Sequence, residues 1–131
     1  MRRELIISGE KINEQSLTQA RAMSPGMGAA VCFVGMVRGT ENGSPIAGLE
    51  YEAFKPMAEH QFHLIFDQAQ SRWPLESVRL VHRLGRVPVG EASLWMEVVA
   101  PRREQAFAAC QFVVSEMKRL VPIWKKPFTL A

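Results

Sequence analysis

The sequence predicts an α+β fold built on a largely antiparallel sheet. Segments with a strand pattern outnumber those with a helical pattern, and turns of hairpin length join several of the strands. The helical segments do not alternate strictly with strands: one lies between strands and a second comes late in the chain.

Each element has its own local signal. Glu4 to Ser8 is a short apolar strand. Asn13 to Met23 reads as a short helix, with Asn13 as N-cap. Ser24-Pro25-Gly26-Met27-Gly28 is a turn cluster. Ala29 to Arg38 is mostly apolar and rich in Val and Phe, the pattern of a buried strand. Gly39 to Pro45 gathers Gly39, Asn42, Gly43, Ser44 and Pro45 into a loop directly after Arg38. Ala47 to Phe54 is the next strand.

From Pro56 to Trp73 the period becomes helical, with Phe62, Ile65, Phe66, Ala69 and Trp73 on one face. Pro56 suits the first turn and Pro74 follows the last. Ser77 to Leu84 alternates, placing Val78, Leu80, His82 and Leu84 on one side. Gly85 to Glu91 is a turn region, and Ala92 to Ala100 is a strand. Pro101 opens a second long helix, about Arg102 to Val121, ended by Pro122. Its predicted apolar stripe is Phe107, Cys110, Val114, Met117 and Val121. The segment Ile123 to Ala131 is predicted to be irregular.

The 131 residues suit one domain, 1–131. A hydrophobic content of 47% is that of an ordinary core, not a disordered chain. The net charge of +3 favours anionic ligands but is too small to indicate nucleic acid. No apolar run approaches the roughly 20 residues of a membrane span, and the N-terminus reads as a strand, not a signal peptide. Cys32 and Cys110 are expected to be buried free thiols in a reducing cytosol. His60, His63 and His82 show no metal-ligand spacing, and no catalytic Ser/His/Asp arrangement, phosphate loop or dinucleotide fingerprint is present.

The last helix carries the functional signal. At about 100° per residue, Arg103 points along the predicted stripe and Lys118 lies within roughly 60° of it. Cations on a face that should be buried either snorkel, their stems covering apolar surface, or line a pocket for an anion, and Lys125 clusters near the Lys118 end. Arg103 and Lys118 are 15 residues apart, or about 22 Å along one helix. If both serve one small-molecule pocket, two chains must build it. Arg38 ends a strand at a Gly-rich loop, a usual position for a binding residue. Arg102 and Arg103 sit at a helix N-terminus, where cations oppose the dipole, so an anion held there would account for them.

Five segments resemble the molybdopterin synthase large-subunit family. They are Val34 to Arg38, Leu49 to Glu59, Val81 to Gly85, Arg103 to Phe107 and, most fully, Met117 to Lys126. The resemblance implies an α/β hammerhead-type fold with two long helices. It implies a cytoplasmic sulfurtransferase that is a homodimer within a heterotetramer. A small ubiquitin-like sulfur-carrier subunit would offer its C-terminal Gly-Gly thiocarboxylate. Its sulfur would pass to cyclic pyranopterin monophosphate to make the molybdopterin dithiolene. No cofactor or metal is implied. Lys118 and Lys125 match the family's catalytic lysines, and Arg38, Arg102 and Arg103 match substrate-binding positions, Arg103 coming from the opposite protomer. Two departures stand out. Arg102 occupies a place where many relatives have histidine, and arginine cannot serve as a neutral base near pH 7. The sequence also stops at Ala131, where relatives commonly continue. Both departures motivate an alternative, a non-catalytic paralogue that only docks the small subunit.

Overall fold

A computed structural model describes residues 1–130. In chain order the elements are β1 Arg2–Ser8, α1 Glu14–Gln19, β2 Ala29–Met36, β3 Thr40–Glu41, β4 Ser44–Pro45 and β5 Gly48–Ala53. They continue with α2 Lys55–Arg72, β6 Ser77–Arg83, β7 Gly85–Pro88, β8 Ala92–Ala100, α3 Arg103–Leu120 and β9 Ile123–Phe128. The larger sheet has the order β1-β6-β8-β2 and a smaller one the order β7-β5-β9. Among the described residues only the β1–β6 pairing is parallel; β6–β8, β8–β2, β5–β7, β5–β9 and β3–β4 are antiparallel. The α+β expectation holds, and among the described residues no helix is long and apolar enough to cross a membrane.

Helices α2 and α3 bury their apolar faces against one side of the larger sheet. Phe62, Ile65 and Phe66 of α2 and Val113 of α3 meet Val78, Leu80, Met96 and Val98 there. The other side is covered near α1, where Ile12 and Leu17 pack on Val81 and Trp95. That side also buries Glu97, which accepts hydrogen bonds from Arg79 and Arg21. A fully buried carboxylate is tolerated only when its charge is paired in this way. Asn13 caps α1 as expected, its Oδ1 accepting from the Ser16 N–H at 3.1 Å.

Several expectations need correction. The helix expected over Asn13 to Met23 is only Glu14–Gln19. The expected buried strand, β2, is the edge of its sheet, and Cys32 on it is exposed whereas Cys110 is buried. A continuous apolar run cannot distinguish a central strand from an edge strand whose apolar residues remain open. The Gly39–Pro45 loop contains a small hairpin, β3–β4, turning through Asn42 (φ 50°) and Gly43 (φ 81°), which suits the left-handed turn of an Asn-Gly pair. The Gly85–Glu91 turn region contains β7.

The segment expected to be irregular from Ile123 is β9 as far as Phe128; Ala131 lies outside the described residues. Strand β9 has no alternating apolar pattern because most of its side chains are exposed, and its pairing with β5 supplies the order.

The stripe of α3 is also rotated from its predicted direction. Ala106, Ala109, Cys110, Val113 and Met117 are buried, while Phe107 is 61% exposed. Small alanines bring the helix backbone close to the sheet, which leaves the larger Phe107 side chain on the outer face. Arg103 and Lys118 are correspondingly exposed, not buried.

Candidate functional site

A cleft of about 710 Å³ opens where the two sheets meet the C-terminal end of α3. Phe33 to Met36 and Arg38 form one wall, and Met117, Lys118 and Val121 another. Ile123 and Lys125 of β9 form the third, while Tyr51 of β5, His82 of β6 and Ser93 and Leu94 of β8 form the floor.

Local structure explains how each cation reaches the cleft. The backbone of Val37, just before Arg38, is held on both sides: its N–H donates to Glu91 O, and its carbonyl accepts from the Gly90 N–H. Lys118 occupies the last turn of α3. Pro122 then redirects the chain so that the Ile123 N–H donates to Val121 O at 2.8 Å and β9 begins at once. In β9, Lys125 stands opposite Tyr51 and Lys126 opposite Glu50. Strand alternation sends these lysines to opposite faces. Lys125 lines the cleft, whereas Lys126 Nζ lies 3.7 Å from Glu50. On α3, Arg119 pairs with Glu116 while its neighbour Lys118 lines the cleft.

Among the described residues the lining thus holds three cations, Lys118 of α3, Lys125 of β9 and Arg38 from the loop after β2, and no acid. Among the described residues Arg38, Lys118 and Lys125 enter no ion pair. Such an arrangement leaves like charges uncompensated until an anion enters, and it attracts one.

The floor is polar in a different way. His82 is only 5% exposed, and its Nδ1 lies 2.9 Å from the Arg83 carbonyl oxygen. Its ring meets Tyr51 edge to face, with centroids 5.2 Å apart. Burial pushes the imidazole below its ordinary range, against the opposing effect of the Arg83 carbonyl. Tyr51 Oη donates to Ser93 Oγ at 3.2 Å, and Ser93 Oγ donates to the Gly35 carbonyl at 3.4 Å.

Of the five cations singled out from the sequence, the structure thus gathers three. Arg102 and Arg103 open α3 at its far end and do not line this cleft. Arg103 is exposed beside its neighbour Glu104, and the helix separates it from Lys118 by about 22 Å. The Arg102 N–H donates to Gln105 Oε1, which satisfies one free amide of the helix start. Tyr51, His82 and Ser93 were missed. The signal for His82 was available, since it shares the core-facing side of its strand with Val78 and Leu80. Neither thiol belongs to the cleft, and burial pushes the Cys110 thiol up to about 11. No group of three or more His, Cys, Asp or Glu among the described residues is placed to hold a metal.

The sequence model of the MoaE protein family matches residues 7–120 of the chain. The chain belongs to the MoaE family. Among curated MoaE relatives, the molybdopterin synthase catalytic subunit of Nostoc sp. is 42% identical over 100 residues, covering 76% of this chain and 61% of the relative. The human molybdopterin synthase catalytic subunit is 37% identical over 119 residues, covering 91% of this chain and 63% of the relative. The chain therefore spans less than two thirds of the length of these two relatives. Molybdopterin synthase from Staphylococcus aureus has a solved structure that superposes with a TM-score of 0.85 at 32% identity, covering 97% of this chain and 90% of that one. A MoaE protein from Burkholderia ambifaria superposes with a TM-score of 0.84 at 35% identity, covering 96% of this chain and 82% of that one. Within the segment matched to MoaE lie Arg38, Arg102, Arg103 and Lys118, whereas Lys125 follows it on β9.

Proposed function

We propose that this chain is the catalytic subunit of a molybdopterin synthase, as its relatives' names imply. It would move sulfur from the C-terminal Gly-Gly thiocarboxylate of a small ubiquitin-like subunit to cyclic pyranopterin monophosphate, building the molybdopterin dithiolene. Three uncompensated cations converging in a cleft of about 710 Å³ carry this assignment. Two anions must be held side by side for the reaction, and fixed cations both gather them and stabilise charge as it moves. Lys118 contacts the terminal thiocarboxylate and stabilises charge as sulfur leaves. Lys125 sits nearer the pterin as a proton donor, and Arg38 binds the cyclic phosphate. The chemistry uses no metal and no organic cofactor.

Arg102 and Arg103 enter the site from a second copy, in a homodimer that carries one small subunit at each end. Residues 1–131 act as one catalytic domain. The reaction belongs in the cytosol, in keeping with two unpaired cysteines. Neither a membrane nor a nucleic acid takes part.

The test combines the full chain with thiocarboxylated small subunit and cyclic pyranopterin monophosphate and measures dithiolene product. Formation of molybdopterin, dependent on both partners, is expected. Stable docking of the small subunit without product would instead identify a non-catalytic paralogue.

A further inference from the structure

The hydrogen-bonding character of the cleft differs between its walls and its floor. Arg38, Lys118 and Lys125 can only donate. On the floor, protons are committed in the other direction. The Gly35 carbonyl can only accept, so the Ser93 hydroxyl proton goes to it and Ser93 Oγ receives the proton of Tyr51. Tyr51 Oη is left with lone pairs alone. The Arg83 carbonyl likewise can only accept, so His82 Nδ1 carries the imidazole proton and Nε2 is bare.

His82 Nε2 has no hydrogen-bond partner among the described residues. Among the described residues the fully buried side-chain polar atoms without a partner are Ser77 Oγ and Arg83 Nε. Nε2 therefore keeps accessible surface, and the space bordering His82 is the cleft. Burial disfavours a second proton on this neutral imidazole, which keeps Nε2 an acceptor.

We propose that His82 Nε2 is a specificity-determining contact: it accepts a hydrogen bond from an N–H or O–H group on the heterocyclic part of the ligand whose anionic part the cations hold. This rests on the proposed function, and it identifies which portion of the substrate meets which part of the cleft. Cations alone bind any small anion of suitable charge. An acceptor on the floor repels bare phosphate oxygens and rewards a ligand that carries a donor edge. Tyr51, packed edge to face on the imidazole, fixes the ring's orientation.

Histidine labelled with 15N in the wild-type full-length chain gives a test that does not depend on a variant folding. Nε2 of His82 should show the resonance of an unprotonated ring nitrogen. It should shift on adding cyclic pyranopterin monophosphate and stay in place on adding inorganic phosphate alone. A proton on Nε2, no shift with the pterin, or an equal shift with phosphate would overturn the proposal. Steady-state kinetics with the small subunit supplies the second arm. His82→Asn keeps a donor for the Arg83 carbonyl but removes the Nε2 position. It should raise KM for the pterin about tenfold with kcat changed less than about twofold, the loss of one hydrogen bond in a closed site. Inhibition by inorganic phosphate should be unchanged. His82→Gln, which returns an acceptor near the Nε2 position, should recover most of the loss. An unchanged KM, or parallel weakening of phosphate inhibition, would show that His82 only shapes the cleft. Absence of wild-type turnover would count against the proposed function, whereas the labelled-histidine response tests His82 without any sulfur donor.

Discussion

Lys118 is singled out beside an apolar stripe and Lys125 by its clustering near Lys118, yet each is solvent-exposed in the described chain. Their functional claim rests on their having no carboxylate partner among the described residues, and this alters what their loss should do. Lys118→Ala removes a repelled charge from an open site, so stability should change by less than about 0.5 kcal/mol. Turnover should fall on the order of 100-fold, the scale of losing one fixed group that stabilises developing charge. Lys125→Ala should be nearly as damaging. Urea unfolding and dithiolene assays on the same preparations would check both; a variant that retains most of its kcat removes that lysine from the site. Arg119 and Lys126, each paired with a glutamate, are the matched controls and should tolerate alanine. The sequence presents four similar basic residues here. Their carboxylate partners, one on the same helix and one on a neighbouring strand, decide which two remain available.

Helix α3 shows how far periodicity determines an element. The spacing of apolar residues identified the helix and Pro122 its end, but the predicted stripe was rotated because alanines were given little weight. Val113, fully buried, should matter far more than the larger Phe107. Val113→Ala should destabilise by about 2 kcal/mol through lost contacts and a small cavity. Phe107→Ala should be close to neutral for folding of the isolated chain, as measured by the denaturant midpoint. If Phe107 proved the costlier substitution, the packing of α3 described above would be wrong. Strand β5 carries a second test, because it supports Tyr51 and the Lys125 strand. A Cβ at Gly48 would fall 2.3 Å from Val87 O and 2.5 Å from the Phe128 ring. Gly48→Ala should therefore loosen β7 or β9 from β5, costing roughly 1–3 kcal/mol as overpacking does. Thermal melting would measure the loss, and an unchanged Tm would mean that the strands separate freely.

Arg103 and Lys118 lie at opposite ends of α3, and only Lys118 lines the cleft. A shared site therefore requires a second chain, and complementation can reveal one. Arg103→Ala and Lys118→Ala preparations would each carry two defective sites per dimer. In a mixed dimer one site collects both defects and the other has neither. With free exchange and equal amounts, about half the dimers are mixed and roughly a quarter of all sites are intact. Provided that each variant alone is nearly inactive, activity near a quarter of wild type is expected on mixing. No recovery, with mixed dimers verified by mass spectrometry, would separate Arg103 from the Lys118 site.

Local chemistry settled much of this protein in advance. Apolar periodicity marked α2, α3 and the strands β6 and β8, Asn13 marked a cap, and the prolines marked helix ends, because these signals act over a few residues. The stripe of α3 pointed to Lys118, clustering near it to Lys125, and a strand end before a Gly-rich loop to Arg38. Folding decided the rest, for reasons of distance. Strand β9 becomes ordered by hydrogen bonding to β5, 70 to 80 residues earlier, which no local pattern encodes. The paired charges at Glu97, the acceptor floor of His82, Tyr51 and Ser93, and the removal of Arg102 and Arg103 from the cleft all follow from elements that are remote in sequence. A residue's type and spacing specify what it can donate, accept or bury; only its tertiary neighbours determine which of those capacities remains free to meet a ligand.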